Sequence, residues 1–190
     1  MQILFDSILL IMLLSMLVAA ISFAPWVPMP MKHLKRAFGL VNVQPGERFY
    51  DLGCGDGRSV VYAAKQFGAK ATGIELAFPL FLAAKAYVFF SRAKGANIAF
   101  GNLFKYDLSD ADVIYVFGMP GALAGRLREK IERECKPGTR IVSMMFEIQG
   151  WQPVKVDRLP GQKAKRKEVP VMLYVLKKTG GETASDSLPK

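Results

Sequence analysis

The residues best suited to chemistry fall in one stretch, Tyr50-Asp51-Leu52-Gly53-Cys54-Gly55-Asp56-Gly57-Arg58, where an apolar run meets an acid and passes into three alternating glycines. Glycine there removes the Cβ that would hold a ligand off the backbone, and it permits the positive φ of a sharp strand-to-helix turn. The helix expected from Ser59 begins with N–H groups that have no partner within it. The spacing is not the G-x-G-x-x-G that brings a pyrophosphate to a helix dipole, because the third glycine comes one position early, and no P-loop lysine follows. An acid at this mouth, Asp51, suits a cationic amino group better than a phosphate. Glu75 closes the next apolar run, the place where an open α/β sheet offers a carboxylate to both hydroxyls of a ribose. A ribose joined to a cationic amino-acid tail meets both demands, and S-adenosylmethionine is such a ligand.

These residues need a frame. The pattern predicts strands over 48–52, 70–75, 98–100, 113–117, 140–145, 151–158 and 169–176. Helices are predicted over 59–66, 79–94 and about 122–135, with a short amphipathic helix within 32–43 carrying Leu34, Phe38 and Val41 on one face. Strand and helix alternate, which implies a Rossmann-like α/β fold: a seven-stranded, mostly parallel sheet with helices on both faces and ligands at the carboxyl ends of the strands. The last two strands have no helix between them, so they are expected as an antiparallel edge pair. Cys54 and Cys135 are the two cysteines; their wide separation fits a reducing compartment and carries no metal-ligand pattern.

With these motifs in order, residues 44–178 resemble the class I, seven-stranded S-adenosylmethionine-dependent methyltransferases, whose signature is the same D-x-G-x-G-x-G and strand-end acid. The resemblance implies a cofactor site formed by Asp51, Gly53, Cys54, Gly55, Gly57 and Glu75, with Asn102 and Leu103 after the third strand, where Asn102 stands in the position that meets the adenine amino group. Many relatives carry Asp there; Asn keeps a carbonyl acceptor and loses the charge. A narrower likeness runs through Gly73-Ile74-Glu75-Leu76, Asn102-Leu103-Phe104, residues 107–113, residues 136–143 and Gly150-Trp151-Gln152-Pro153. These resemble the small protein-lysine methyltransferase family that includes archaeal broad-specificity enzymes and the mitochondrial enzymes acting on adenine nucleotide translocase and the ATP synthase c-subunit. The likeness implies methyl transfer to a lysine ε-amine, on a protein substrate at or in a membrane. Where relatives often read Phe-Leu-x-Pro after the fourth strand, this chain has Phe117-Gly118-Met119-Pro120.

Displacement at a sulfonium methyl needs an uncharged amine held in line, and positioning supplies most of the rate. A lysine of pKa about 10.4 must be brought to its neutral form by apolar surroundings and a neighbouring positive charge. Phe117, Met119, Pro120 and Trp151 are the candidates for such a channel, and no residue stands out as a general base; His33, ahead of the fold, reads as a surface histidine. Two rival functions remain open on the sequence: methyl transfer to a small lipophilic acceptor such as a quinone or lipid, and a non-catalytic binding module, which the intact glycines and acids oppose.

The chain has 190 residues, 51% of them hydrophobic and 22% charged, enough for one domain with an appended segment. The apolar excess lies at the N-terminus, where residues 7–31 carry no charge and residues 8–24 are almost wholly aliphatic. As a helix these cover about 25 Å, and with their apolar flanks they cross a hydrocarbon core of about 30 Å. Pro25, Pro28 and Pro30 end that helix, with Trp26 expected at headgroup level. A signal peptide begins with positive charge, whereas this one begins with Asp6 alone, so residues 1–30 read as an uncleaved single-pass anchor. Lys32, Lys35 and Arg36 directly after the span put the body, residues 44–178, on the cytoplasmic side. Residues 31–43 form a juxtamembrane segment, and the polar residues 179–190 a disordered tail. The net charge of +10 comes from the residues after 30, which carry 26 bases against 15 acids, less the charge of Asp6, and the bases are dense over 155–178, with Lys163, Lys165, Arg166 and Lys167. That stretch suits anionic lipid or simple solvation, and nucleic acid is an unlikely partner. The helix holding Phe78, Phe81, Tyr87, Phe89 and Phe90 lacks a polar face, which suits either burial on the sheet or contact with a bilayer.

Overall fold

A computed structural model describes residues 1–22, 26–118, 121, 125–159 and 169–176. Met119, Pro120, the basic residues 163–167 and the tail 179–190 lie outside the described residues. Strands β1 (Arg48–Leu52), β2 (Lys70–Glu75), β3 (Ala96–Phe100), β4 (Val113–Val116), β5 (Arg140–Met144), β6 (Lys155–Leu159) and β7 (Val169–Val175) form one sheet in the order β3-β2-β1-β4-β5-β7-β6. β1 to β5 are mutually parallel, and β7 runs antiparallel between β5 and β6. Strand order reverses between β1 and β4, so their carboxyl ends frame the crevice where an open α/β sheet takes its ligand. This is the expected seven-stranded fold with its antiparallel edge pair.

Period-two burial sorts the sheet into two cores. Phe49, Val113, Tyr115 and Val142 pack on one face against α2 (Met31–Val41), α3 (Arg58–Phe67) and Ala84 of α4 (Phe78–Ser91). Leu52, Ile114, Val116 and Ile141 pack on the other against Leu127 and Ile131 of α5 (Arg126–Glu134). Phe38 fixes α2 by ring contacts to Phe49 at 5.0 Å and Tyr115 at 5.5 Å. Arg140 closes the end of α2 by donating to the carbonyls of Val41 and Asn42, at 3.0 and 2.9 Å. Ahead of the domain stands α1 (Gln2–Ser22), long and apolar enough to cross a membrane by length and composition.

Three expectations need correction. His33 is buried on the inner face of α2 together with Leu34 and Phe38, and burial lowers its pKa, aided by Lys32 and Arg36. Residues 151–154 precede β6 instead of belonging to it, since Pro153 has no N–H for the ladder and Trp151 is drawn away to Glu132. Leu103–Lys105 form a 3-10 turn where no element was expected, because Asn102 caps it by accepting from the Phe104 N–H at 2.9 Å.

The Tyr115 hydroxyl is buried without a hydrogen-bond partner among the described residues. An unsatisfied buried hydroxyl costs roughly 1–3 kcal/mol. Tyr115→Phe is therefore expected to hold stability or raise it by about 1 kcal/mol, read from urea unfolding; a clear loss would mean that the hydroxyl has a partner in solution.

Candidate cofactor and active site

The glycine loop is built by β1 and β2 together. After Leu52 the N–H groups of Gly53 and Cys54 both donate to the Ile74 carbonyl, at 3.0 and 3.1 Å, and Gly57 N–H returns to the Cys54 carbonyl at 3.0 Å. Gly57 opens α3 at φ +77°, and a Cβ there would press on Ala84 Cβ at 3.1 Å and Ile98 Cδ1 at 3.3 Å. The third glycine thus lets α3 and α4 close on each other. Gly55, at φ +55°, lies directly under the indole of Trp26, which a Cβ would penetrate.

Glu75 is the hub of this loop. Its Oε2 accepts from Gly55 N–H at 2.8 Å, and its Oε1 accepts from Leu76 and Ala77 N–H at 3.0 and 2.8 Å. Burial raises its pKa, and those three N–H groups oppose the rise. Each carboxylate oxygen can accept two bonds, so Oε2 keeps one site for a further donor.

Asp51, at the end of β1, is buried and accepts from the Ser59 hydroxyl at the start of α3. Burial pushes its carboxyl up to about 7; the Ser59 bond opposes this, while the charges of Glu75 and Asp56 add to it. Since the unfolded carboxyl titrates near 3.9, the folded state holds a proton between roughly pH 4 and 7 that the unfolded chain has lost. Stability from this group is complete below about pH 4 and falls as pH rises through 7. Asp51→Asn is therefore expected to stabilise the ligand-free protein at pH 8, by up to about 4 kcal/mol, and to have little effect at pH 4.5. Equal effects at both pH values would contradict this titration.

A cavity of about 500 Å³ opens at the carboxyl ends of β1, β2 and β4. Gly53, Ile74, Glu75, Asn102, Leu103 and Phe117 line it from the sheet side, with Ala77 just before α4 and Leu80 within it. The far wall is the N-terminal segment: Leu13, Met16, Leu17, Ala19 and Ala20 of α1, with Trp26 and Val27. Arg58, paired with Asp56, holds that segment to the loop by donating from Nη1 to the Met29 carbonyl at 3.1 Å. The size and chemistry fit a nucleoside ligand with an amino-acid tail: a mostly apolar chamber, one free carboxylate lone pair and a glycine backbone open to close approach.

Of the residues singled out in sequence, Gly53, Glu75, Asn102, Leu103 and Phe117 meet in this cavity. Asp51 sits behind the loop. Cys54 turns into the core against Gly73 and Val60, and burial raises its thiol pKa. Trp151 is not brought to the cavity; its indole packs on Tyr174 and donates to Glu132 Oε1 at 2.8 Å. Asn102 Oδ1 already accepts from Phe104 N–H, which leaves its NH2 group and one oxygen lone pair for a ligand. Sequence reasoning missed Trp26. The available signal was proline at 28 and 30, which keeps residues 26–30 out of helix and leaves them to run as a strap ahead of α2.

Comparison with known proteins agrees with this geometry. The profile of the ANTKMT methyltransferase domain matches residues 51–155. A protein-lysine N-methyltransferase from Saccharolobus islandicus is 40% identical over 137 residues, covering 71% of this chain and 84% of that one. The adenine nucleotide translocase lysine N-methyltransferase of Mus musculus is 33% identical over 70% of this chain, a match that spans 57% of the mouse enzyme's length. Among solved structures, an RNA methyltransferase from Salinibacter ruber in complex with S-adenosyl-L-homocysteine superposes with a TM-score of 0.75 at 29% identity, over 84% of this chain and 100% of that one. The chain belongs to the ANTKMT methyltransferase domain family and is an S-adenosylmethionine-dependent methyltransferase.

Proposed function

We propose that the chain methylates the ε-amine of lysine in a protein held at a membrane, and that α1 anchors it there with the domain on the side of Lys32, Lys35 and Arg36. The lysine acceptor is carried by the 40% identity to the Saccharolobus islandicus protein-lysine N-methyltransferase, which extends over 84% of that enzyme. When bound, S-adenosylmethionine supplies a methyl group on a positively charged sulfur. Glu75 would accept from the ribose, Gly53 would give the amino-acid tail access to backbone, Asn102 and Leu103 would flank the base, and Asp51, once ionised, would add negative potential near the loop. Phe117 walls the acceptor side. Ile74, Leu80, Leu103 and Phe117 make that chamber apolar, which favours the neutral amine. Glu75 is engaged by three N–H groups and lies at the cofactor end, so the lysine loses its proton on entry instead of passing it to a side-chain base.

Trp26 closes the cofactor side. Trp26→Ala is expected to weaken S-adenosylmethionine binding roughly tenfold, one aromatic contact being worth about 1–1.5 kcal/mol. The indole is 46% exposed, so the melting temperature should hardly move. Calorimetric titration decides this: unchanged affinity would remove Trp26 from the site.

The acceptor is tested by incubating the protein with methyl-labelled cofactor and membranes from its source, then separating protein, lipid and nucleic acid. Label in protein as methyl-lysine is the expected result; label extracted with lipid, or in RNA, would overturn the reading. The anchor is tested by flotation with vesicles after an alkaline wash.

A further inference from the structure

We infer that the exposed aromatic face of α4 is a second membrane contact, lying on an anionic bilayer beside α1, so that the cofactor cavity opens at the lipid surface; this rests on the reading of α1 as the anchor. A helix packed on a sheet ordinarily turns its bulky apolar residues inward and its polar ones outward. In α4 the order is inverted. Ala84 is its buried residue, with Gly57 pressed against it, while Phe89 and Phe90 are 76% and 78% exposed. Leu82 and Phe78 extend this face along the helix, and Phe100, at the end of β3, continues it by packing on Phe78 at 5.6 Å and Phe81 at 5.3 Å. So much contiguous apolar surface calls for an occupant.

Charge and position identify it. From Leu76 to Tyr106 there is no acidic residue, whereas Lys85, Arg92, Lys94 and Lys105 are basic. Lys85 is held at the face by donating to Asn97 Oδ1 at 3.3 Å, and Arg92 and Lys94 stand exposed just past the helix end. Aromatic side chains rimmed by bases match the interface of an anionic bilayer. The seating of α1 adds a geometric requirement. It packs along α4, and residues within 13–20 line the cavity while Leu13, Leu14, Leu17 and Val18 stay exposed. A bilayer that takes up α1 along this length therefore lies against its neighbour α4.

The test uses the full chain with Phe89→Cys, labelled with a polarity-sensitive fluorophore; the native Cys54 and Cys135 are buried. Glu129→Cys, exposed on α5 across the sheet, is the reference. Both are mixed with phosphatidylcholine vesicles containing phosphatidylglycerol and nitroxide-bearing lipid. A blue shift and quenching at 89 but not at 129, weakened by omitting phosphatidylglycerol, is expected. Flotation with the vesicles while position 89 stays water-like would overturn the inference and leave the anchor standing. A blue shift at 89 without lipid, accompanied by dimers in solution, would assign the face to a second copy instead. Failure to float at all would remove the anchor and this inference together.

Discussion

Glu75→Gln is expected to weaken S-adenosylmethionine binding by on the order of 100-fold, because the substitution removes the charge and turns one acceptor oxygen into a donor. The carboxylate accepts three backbone N–H groups, from Gly55, Leu76 and Ala77. An amide satisfies the pair at one oxygen but sets its NH2 against the remaining N–H. Whichever way it turns, the loop must give at Gly55 or at the start of α4. The one charge-assisted bond that the free site on Oε2 can make to the ribose, worth up to about 3 kcal/mol, accounts for the factor of 100. Glu75→Ala is expected to do worse in a different way, leaving three N–H groups without an acceptor and unfolding the loop. Titration calorimetry beside a thermal melt separates the two: the Gln variant should melt several degrees below the parent, stay folded at 25 °C and bind poorly, while the Ala variant loses more stability. Parental affinity in the Gln variant would show that the ribose is held elsewhere.

Gly73→Ala is expected to cost about 3 kcal/mol of stability, at the upper end of what overpacking costs in a core. A Cβ on Gly73 would lie 2.6 Å from Cys54 Sγ, 2.7 Å from Cys54 Cβ and 2.7 Å from Val60 Cγ2. β2 is hydrogen-bonded on both sides, to β1 and β3, so the strand cannot move away. Relief must come from Cys54, and moving Cys54 moves the glycine loop with it. Adding Cys54→Ala removes one of the three contacts and should recover only part of the loss. Urea unfolding measures the stability; the same protein should bind cofactor more weakly at temperatures where it is still folded. A neutral Gly73→Ala would mean that β1 and α3 pack more loosely than their distances indicate.

The sheet was legible in the sequence because its strands obey a simple rule. β1 and β2 occupy the expected residues, and β4 and β5 end one residue sooner, since parallel strands covered on both faces read as short continuous apolar runs between turns. Glu75 and Gly53 were legible for the same reason: the ligand crevice of this fold follows from strand ends. What the sequence hid depends on contacts distant in the chain. Cys54 belongs to the motif by position, yet its side chain fills the space left by Gly73, a partner on the next strand. Trp151 is apolar and close to β6, but Glu132 on α5 claims its indole. Trp26 has the composition of a headgroup residue and a place over Gly55, because Arg58 holds the Met29 carbonyl. The lack of a polar face on α4 was visible in its composition, but that Ala84 faces inward and Phe89 outward follows from the crowding at Gly57.

The account is tested most directly by transfer itself. The protein is incubated with methyl-labelled S-adenosylmethionine and source membranes, the protein fraction is hydrolysed to amino acids, and methylated lysine is counted for the parent and for Glu75→Gln. Labelled methyl-lysine from the parent, falling to background in the variant at cofactor concentrations that saturate the parent, is the expected result. Labelled protein without methyl-lysine, or equal methyl-lysine from both, would contradict it.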